Sequence, residues 1–280
     1  MGLVSGWRSW NLFAQHNDDT TMRTMMHAFV DKSRSVDGVP TSLAEIGYLS
    51  VGMDDGFQRC NCSSPQGPYP HSLTNESCSV NDCRAGRCTW HNQSDGTPMI
   101  DTIRFPDLKA LVQYGHSLAL QVGFYLNTCI CMEKGRTYFE QDVAFLKEMQ
   151  FDTVKIDQCG SAMNMSLWAA LINATGRPTM LENCHNTPSW WSPGPDAATV
   201  CDSNMWRSGG DIGNSFGGAY SEAHQWFAKN NLSATHPWGE HPISRPGCWG
   251  YPVRFTCRAC TQPQQPASLY TTPTASDEGC

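Results

Sequence analysis

"TVKIDQCG" (Thr153–Gly160) decides how this chain is to be read. Val154 and Ile156 suit a buried strand, and Lys155 and Asp157 alternate with them. Successive side chains of a strand point to opposite faces, so the lysine and the aspartate share one face. A strand that buries one face and aims a cation and a carboxylate from the other fits a parallel sheet whose strand ends line a pocket. The flanking segments repeat that design.

Short apolar runs alternate with helical patterns on both sides, which predicts βα units and a parallel sheet. Strands are predicted at 3–10, 47–53, 119–127, 152–157, 178–183 and 203–208. Helices are predicted at 21–33, 105–118, 136–150, 165–175 and 218–231, the first capped by Asp19 or Thr20. About six βα units result.

Two segments break the rhythm. Residues 59–97 carry Cys60, Cys62, Cys78, Cys83 and Cys88 among Gly, Pro, Ser and Asn, and read as a disulfide-tied insertion after strand two. Residues 253–280 are rich in Pro, Gln, Ser and Thr without strand or helix period, so disorder is expected there. The expected organisation is a barrel domain over 1–252 followed by a low-complexity tail over 253–280.

Bulk properties exclude some functions. The net charge of −7 over 280 residues argues against a nucleic-acid partner, which needs a basic surface. No run of apolar residues is long enough to span a membrane. Fourteen cysteines point to an oxidising compartment. N-x-S/T sequons at Asn61, Asn75, Asn92, Asn164, Asn173 and Asn231 point the same way. The expected location is the secretory pathway: extracellular, lysosomal or vacuolar. "MGLVSGWRSW" holds no signal-peptide core, so the leader is expected to be missing from this sequence. The cysteines lack zinc-finger spacing and no H-E-x-x-H occurs, so no metal is expected. No cofactor is expected either.

Polar residues gather at the C-terminal ends of the predicted strands. They are Trp10, Asp54, Asp55, Tyr125, Lys155, Asp157, Arg207 and, shortly after, Asp211. Singly, each has a plain explanation: an aspartate after a strand often caps the next helix, and Asp54-Asp55-Gly56 reads as a turn. Together they suit glycosidic bond cleavage, where one carboxylate attacks the sugar carbon and a second protonates the leaving oxygen. A cation two residues before a carboxylate favours its ionised form, which makes Asp157 the expected nucleophile and Lys155 its electrostatic partner.

These residues also carry a resemblance. "GWRSWN" (Gly6–Asn11), "GYLSVGMDDGF" (Gly47–Phe57), "FPDLKALVQYGHSLALQVGFY" (Phe105–Tyr125), "VKIDQC" (Val154–Cys159) and "WRSGGDI" (Trp206–Ile212) resemble, in order, the alpha-galactosidases of glycoside hydrolase family 27, the melibiases. The resemblance implies a (β/α)8 TIM barrel followed by a β-sandwich. It also implies retaining hydrolysis of terminal α-galactosides or α-N-acetylgalactosaminides on an oligosaccharide, glycolipid or glycoprotein. It places Asp157 as nucleophile and Asp211 as acid/base. Trp10, Asp54, Asp55, Tyr125, Lys155 and Arg207 fall at sugar-binding positions. Cys159 is implied to bridge Cys129 or Cys131, and Cys184 to bridge Cys201. A homodimer is compatible with it.

The sequence departs from the family at two places. "ENCHNTPSWW" puts His185 where the family has a glutamate that reads the substituent at sugar carbon two, which leaves galactose or N-acetylgalactosamine open. "RPGCWGYP" (Arg245–Pro252) leads into the tail where a further family segment is expected. The eighth βα unit and the sandwich are therefore expected to be missing. The first-strand loop lacks a family cysteine, so the bridges of the insertion are expected to be internal. The competing reading is a truncated, catalytically inactive galactoside binder. A disulfide-rich structural module fits the insertion but not the strand-end carboxylates.

Overall fold

The computed structural model describes residues 5–62, 88–92, 94–133, 137–157, 164–184, 202–207, 244–245 and 248–251. Seven parallel strands run in sequential order among them: β1 (Ser5–Arg8), β2 (Tyr48–Gly52), β3 (Gln121–Leu126), β4 (Thr153–Asp157), β5 (Met180–Cys184), β6 (Met205–Arg207) and β7 (Cys248–Tyr251). Ser244–Arg245 pairs antiparallel to the outer side of β7. This is a partial (β/α)8 barrel, with no eighth parallel strand among the described residues. The tail over 253–280 and the helix predicted at 218–231 lie outside the described residues.

Among the described residues, four helices cover the sheet: α1 (Asp19–Val30), α2 (Leu108–Ser117), α3 (Phe139–Met149) and α4 (Met165–Ala174). Side-chain caps fix three of their starts. Asp18 accepts from Thr21 N at 2.7 Å, Asp107 from Ala110 N at 2.9 Å and Asn164 from Leu167 N at 3.1 Å. Each satisfies an amide that the first helical turn leaves without a partner. The cap of α1 is thus Asp18, one residue before the expected Asp19. Trp10 is corrected as well. The first strand ends at Arg8, and Trp10 opens a single helical turn, Trp10–Phe13.

The period-two alternation divides the sheet into two faces. Val51, Val122, Phe124, Val154, Ile156 and Leu181 are buried toward the helices with Met22, Met26, Leu111, Leu146, Trp168 and Ile172. Phe124 stacks against Phe145 of α3 at 5.6 Å and against Phe151 at 4.5 Å. Full burial of a side chain of this size stabilises by about 1.5–3 kcal/mol. The opposite face of β1, β3, β4 and β5 is polar and looks into the barrel.

The base of the insertion is ordered. Asn61–Cys62 pairs antiparallel with Cys88–Thr89. Phe57 and Trp90 meet edge to face at 5.8 Å, and Phe57 lies 4.3 Å from Phe124. The insertion therefore roots directly on β3.

Candidate active site

Four of the described strand-end residues, Asp54, Tyr125, Lys155 and Asp157, form one cluster. Lys155 is fully buried, and its Nζ donates to Asp54 Oδ2 at 3.1 Å and stands 3.9 Å from Asp157 Oδ2. Tyr125 donates its hydroxyl to the same Asp157 oxygen at 2.5 Å and accepts from Asn127 Nδ2 at 2.7 Å. The ammonium also lies 4.9 Å from the centre of the Tyr125 ring. Burial, and then the charges of Asp157, Asp55 and Asp54, hold the Tyr125 phenol well above its ordinary value of 10.0. It is therefore a neutral donor at any working pH.

Asp54 and Asp55 separate in role. Asp54 is buried against Lys155, and its backbone amide donates to Ser9 Oγ at 2.9 Å. The Asp55 carboxylate turns to its own loop, where Gly56 N donates at 2.7 Å, Gln58 Nε2 at 2.6 Å and Gln15 Nε2 at 3.2 Å. Burial raises its pKa, the Gln58 hydrogen bond opposes that, and the Asp54 charge adds to the rise. Asn17 ties the two chains of this loop, donating to Ser9 Oγ and to Asp55 O, each at 2.9 Å.

The structure thus unites Asp54, Tyr125, Lys155 and Asp157. Trp10 is half-buried and outside the hydrogen-bonded cluster. Arg207 ends β6 by its backbone. Asp211, His185, Cys159 and Cys201 lie outside the described residues.

One expected bridge is corrected. Cys131 is bonded to Cys60, across 71 residues, so the insertion is tied to the loop after β3 and its bridges are not all internal. Cys88, Cys129 and Cys184 are also disulfide-bonded. The bridge implied for Cys159 lies outside the described residues.

Sequence reasoning missed an ion pair inside the barrel. Arg8 Nη2 donates to Glu182 Oε2 at 2.6 Å, with each side chain 9% exposed. Arg8 Nη1 donates to Met53 O and to Phe124 O, each at 3.0 Å. Gly52 leaves the room, since a Cβ there would lie 3.1 Å from Arg8 Nη1; at Gly123 a Cβ would instead meet Thr153 Oγ1 at 2.5 Å. Glycines inside two neighbouring strands were the available signal, because such glycines mark a close approach. A buried cluster behind the site was missed too. His91 meets Glu133 Oε2 through Nδ1 at 3.2 Å and Asp142 Oδ1 through Nε2 at 3.0 Å.

No group of residues suited to a metal occurs among the described residues. No described helix is long and apolar enough to cross a membrane.

Known proteins resemble this chain in sequence and fold. Residues 70–257 match the model of the family described as alpha galactosidase A. The alpha-N-acetylgalactosaminidase of Rattus norvegicus is 30% identical over 62% of this chain and 42% of its own length. The alpha-galactosidase of Coffea arabica is 26% identical over 78% of this chain and 49% of its own length. Alpha-galactosidase I from Mortierella vinacea superposes with a TM-score of 0.58 at 19% identity, over 89% of this chain and 58% of that one. The chain spans about half the length of the curated relatives it matches. Sequence match and barrel geometry agree: the chain belongs to the alpha galactosidase A family, the melibiases of glycoside hydrolase family 27.

Proposed function

We propose that the chain is the catalytic barrel of a retaining glycoside hydrolase that removes terminal α-linked galactose or α-N-acetylgalactosamine. One observation carries the reading. A buried aspartate at the end of β4 is flanked by a lysine and a neutral tyrosine donor, with a second aspartate on the far side of the lysine. Asp157 attacks the sugar carbon. Asp211 gives the proton to the leaving oxygen and later activates water. Trp10, Asp54, Asp55, Tyr125, Lys155, His185 and Arg207 bind the sugar in this reading, the carboxylates accepting from galactose hydroxyls, which ionised carboxylates do strongly.

The barrel is proposed to occupy 1–252, with the tail over 253–280 outside it. An oligosaccharide, glycolipid or glycoprotein would carry the sugar. The names of the relatives, alpha-galactosidase and alpha-N-acetylgalactosaminidase, support both sugars. Disulfide-bonded Cys60 and Cys131 support a secretory location. The sequons at Asn164 and Asn173 are exposed, as a glycosylated site requires.

The test is release of nitrophenol from 4-nitrophenyl α-galactoside at mildly acidic pH, by wild type and by D157N. Turnover by wild type and none by folded D157N is expected. D157N activity above a tenth of wild type would remove Asp157 from the nucleophile's role. Galactose protection against unfolding without turnover would favour the inactive binder.

A further inference from the structure

The turn that delivers Asp54 and Asp55 is gripped by two residues outside the cluster. Ser9, the residue after β1, donates its backbone amide to Gly52 O at 3.1 Å and accepts from Asp54 N through Oγ at 2.9 Å. One residue thus holds the last carbonyl of β2 and the amide of Asp54. Asn17 completes the grip. Its Nδ2 donates to Asp55 O and to Ser9 Oγ, each at 2.9 Å, and lies 3.4 Å from Asp54 O. Both Ser9 and Asn17 are fully buried. The facing carbonyls only accept, so the amide nitrogen of Asn17, and not its oxygen, turns toward them.

Asn17 is itself held firmly. It precedes Asp18, the cap of α1, and Asp19 N donates to Arg104 O at 2.9 Å. Arg104 Nη1 donates to Gln15 O at 2.6 Å and also to Gly56 O. The segment before α1 and the turn after β2 are therefore fastened to each other twice, by Arg104 and by Asn17. Gly56 allows the approach, since a Cβ there would collide with Gln15 O. On this fixed backbone, Asp54 Oδ1 accepts from Asp55 N at 3.0 Å and Oδ2 meets Lys155 Nζ at 3.1 Å.

We propose that Ser9 and Asn17 are positioning residues for sugar binding: by fixing the peptide groups on both sides of Asp54, they aim its carboxylate at the sugar. Neither touches the reacting atoms, and their role rests on the reading of Asp54 as a galactose ligand. They act through the backbone, whatever further contacts the carboxylate makes. Without the Ser9 hydroxyl, Asp54 N and Asn17 Nδ2 lose a shared acceptor in a buried place. A buried amide without its partner is costly enough to move a turn. The carboxylate moves with it.

The experiment compares S9A, N17L and the double variant in the full chain. Galactose affinity is measured by calorimetry, and turnover of 4-nitrophenyl α-galactoside well below the melting temperatures. Each single variant is expected to weaken galactose binding and raise KM by about 10-fold, with kcat within about 3-fold of wild type, the pattern of lost uniform binding. The double variant is expected to lie within about 3-fold of the weaker single, because the two residues share one hydroxyl. Losses that multiply to about 100-fold overturn their joint action. A structural role alone lowers the melting temperature but leaves Kd and KM within about 2-fold of wild type, which overturns the proposal. A crystal structure of S9A gives a readout independent of turnover. Asp54 Oδ2 more than about 4 Å from Lys155 Nζ is expected; Asp54 unmoved at 3.1 Å overturns the proposal. If N17L does not fold, S9A decides alone, since it removes only a hydroxyl. A wild type that neither binds nor hydrolyses galactosides ends the hydrolase reading but leaves the S9A structure to decide the positioning.

Discussion

Tyr125 commits its hydroxyl proton to Asp157. Asn127 Nδ2 donates into the same phenol oxygen at 2.7 Å, so the proton has one direction left, toward Asp157 Oδ2 at 2.5 Å. Y125F removes that donor and leaves Asn127 facing a carbon. Hydrogen bonds to charged groups contribute about 1.5–3 kcal/mol, so kcat should fall about 10- to 100-fold. Steady-state kinetics beside a melting curve checks this. A change below about 2-fold in a folded variant would show that the donor is idle in the rate-limiting step.

His91 makes the fold sensitive to pH. Burial disfavours the charged ring, but hydrogen bonds to Asp142 and Glu133 outweigh it and lift its pKa from 6.5 to about 8. Burial lifts Asp142 from 3.8 to about 6, against the pull of the His91 hydrogen bond. Both groups hold protons more tightly in the folded state, so stability falls as pH rises. The histidine's share is whole below 6.5 and lost as pH rises through about 8. Tyr138 stacks on the ring at 4.3 Å and Trp90 at 3.9 Å, and neither supplies a compensating charge. The melting temperature should decline from pH 5 to pH 8. H91Q should remove the histidine's share of that decline but keep the share carried by Asp142, whose pKa rises further without the His91 hydrogen bond, and it should cost about 3–5 kcal/mol at neutral pH because it strands two buried carboxylates. Denaturant melts across pH check both parts.

Cys60–Cys131 closes a loop of 71 residues in sequence separation. C60S/C131S should cost about 2–4 kcal/mol, chiefly by loosening the unfolded chain. Asn127 lies in the loop that the bridge pins, with its side-chain oxygen accepting from Cys129 N at 3.0 Å and Ile130 N at 2.9 Å. The variant should therefore also lose activity. A drop in stability with unchanged kcat would mean that Asn127 is held by these two amides alone.

Gly123→Ala places a methyl group 2.5 Å from Thr153 Oγ1 and 3.1 Å from Gly52 Cα. Threonine is stiff at χ1 and cannot step aside cheaply. Overpacking of this kind costs about 1–3 kcal/mol. Urea melts should show a lower midpoint with an unchanged slope. Stability equal to wild type would mean that β3 and β4 slide apart easily at this layer.

The period-two reading located the polar inner face because it depends only on neighbours in sequence. Lys155 and Asp157 were placed by it, and Asp54 and Tyr125 by their positions at the ends of the second and third predicted strands. The two cap residues around Asp18 and Asp19 differ by one position because either aspartate fits the pattern, and only the backbone turn decides. What escaped depends on closure of the sheet. Arg8 and Glu182 are 174 residues apart, and each alone reads as an ordinary strand residue. The Cys60–Cys131 bridge escaped because spacing does not determine pairing among many cysteines. His91 looked like a loop residue, and its two carboxylates come from the loop after β3 and from α3.

The glycine beside Arg8 bears on how this barrel can change over generations. A side chain at Gly52 crowds the guanidinium, a shortened Arg8 takes a cation from the buried Glu182, and a lost Glu182 takes the carboxylate from the buried Arg8. Each first step away is worse than the start, although a barrel with all of these positions altered together could be sound. Arg8, Gly52 and Glu182 should therefore be inherited as a block, and descendants that abandon one should have abandoned the others.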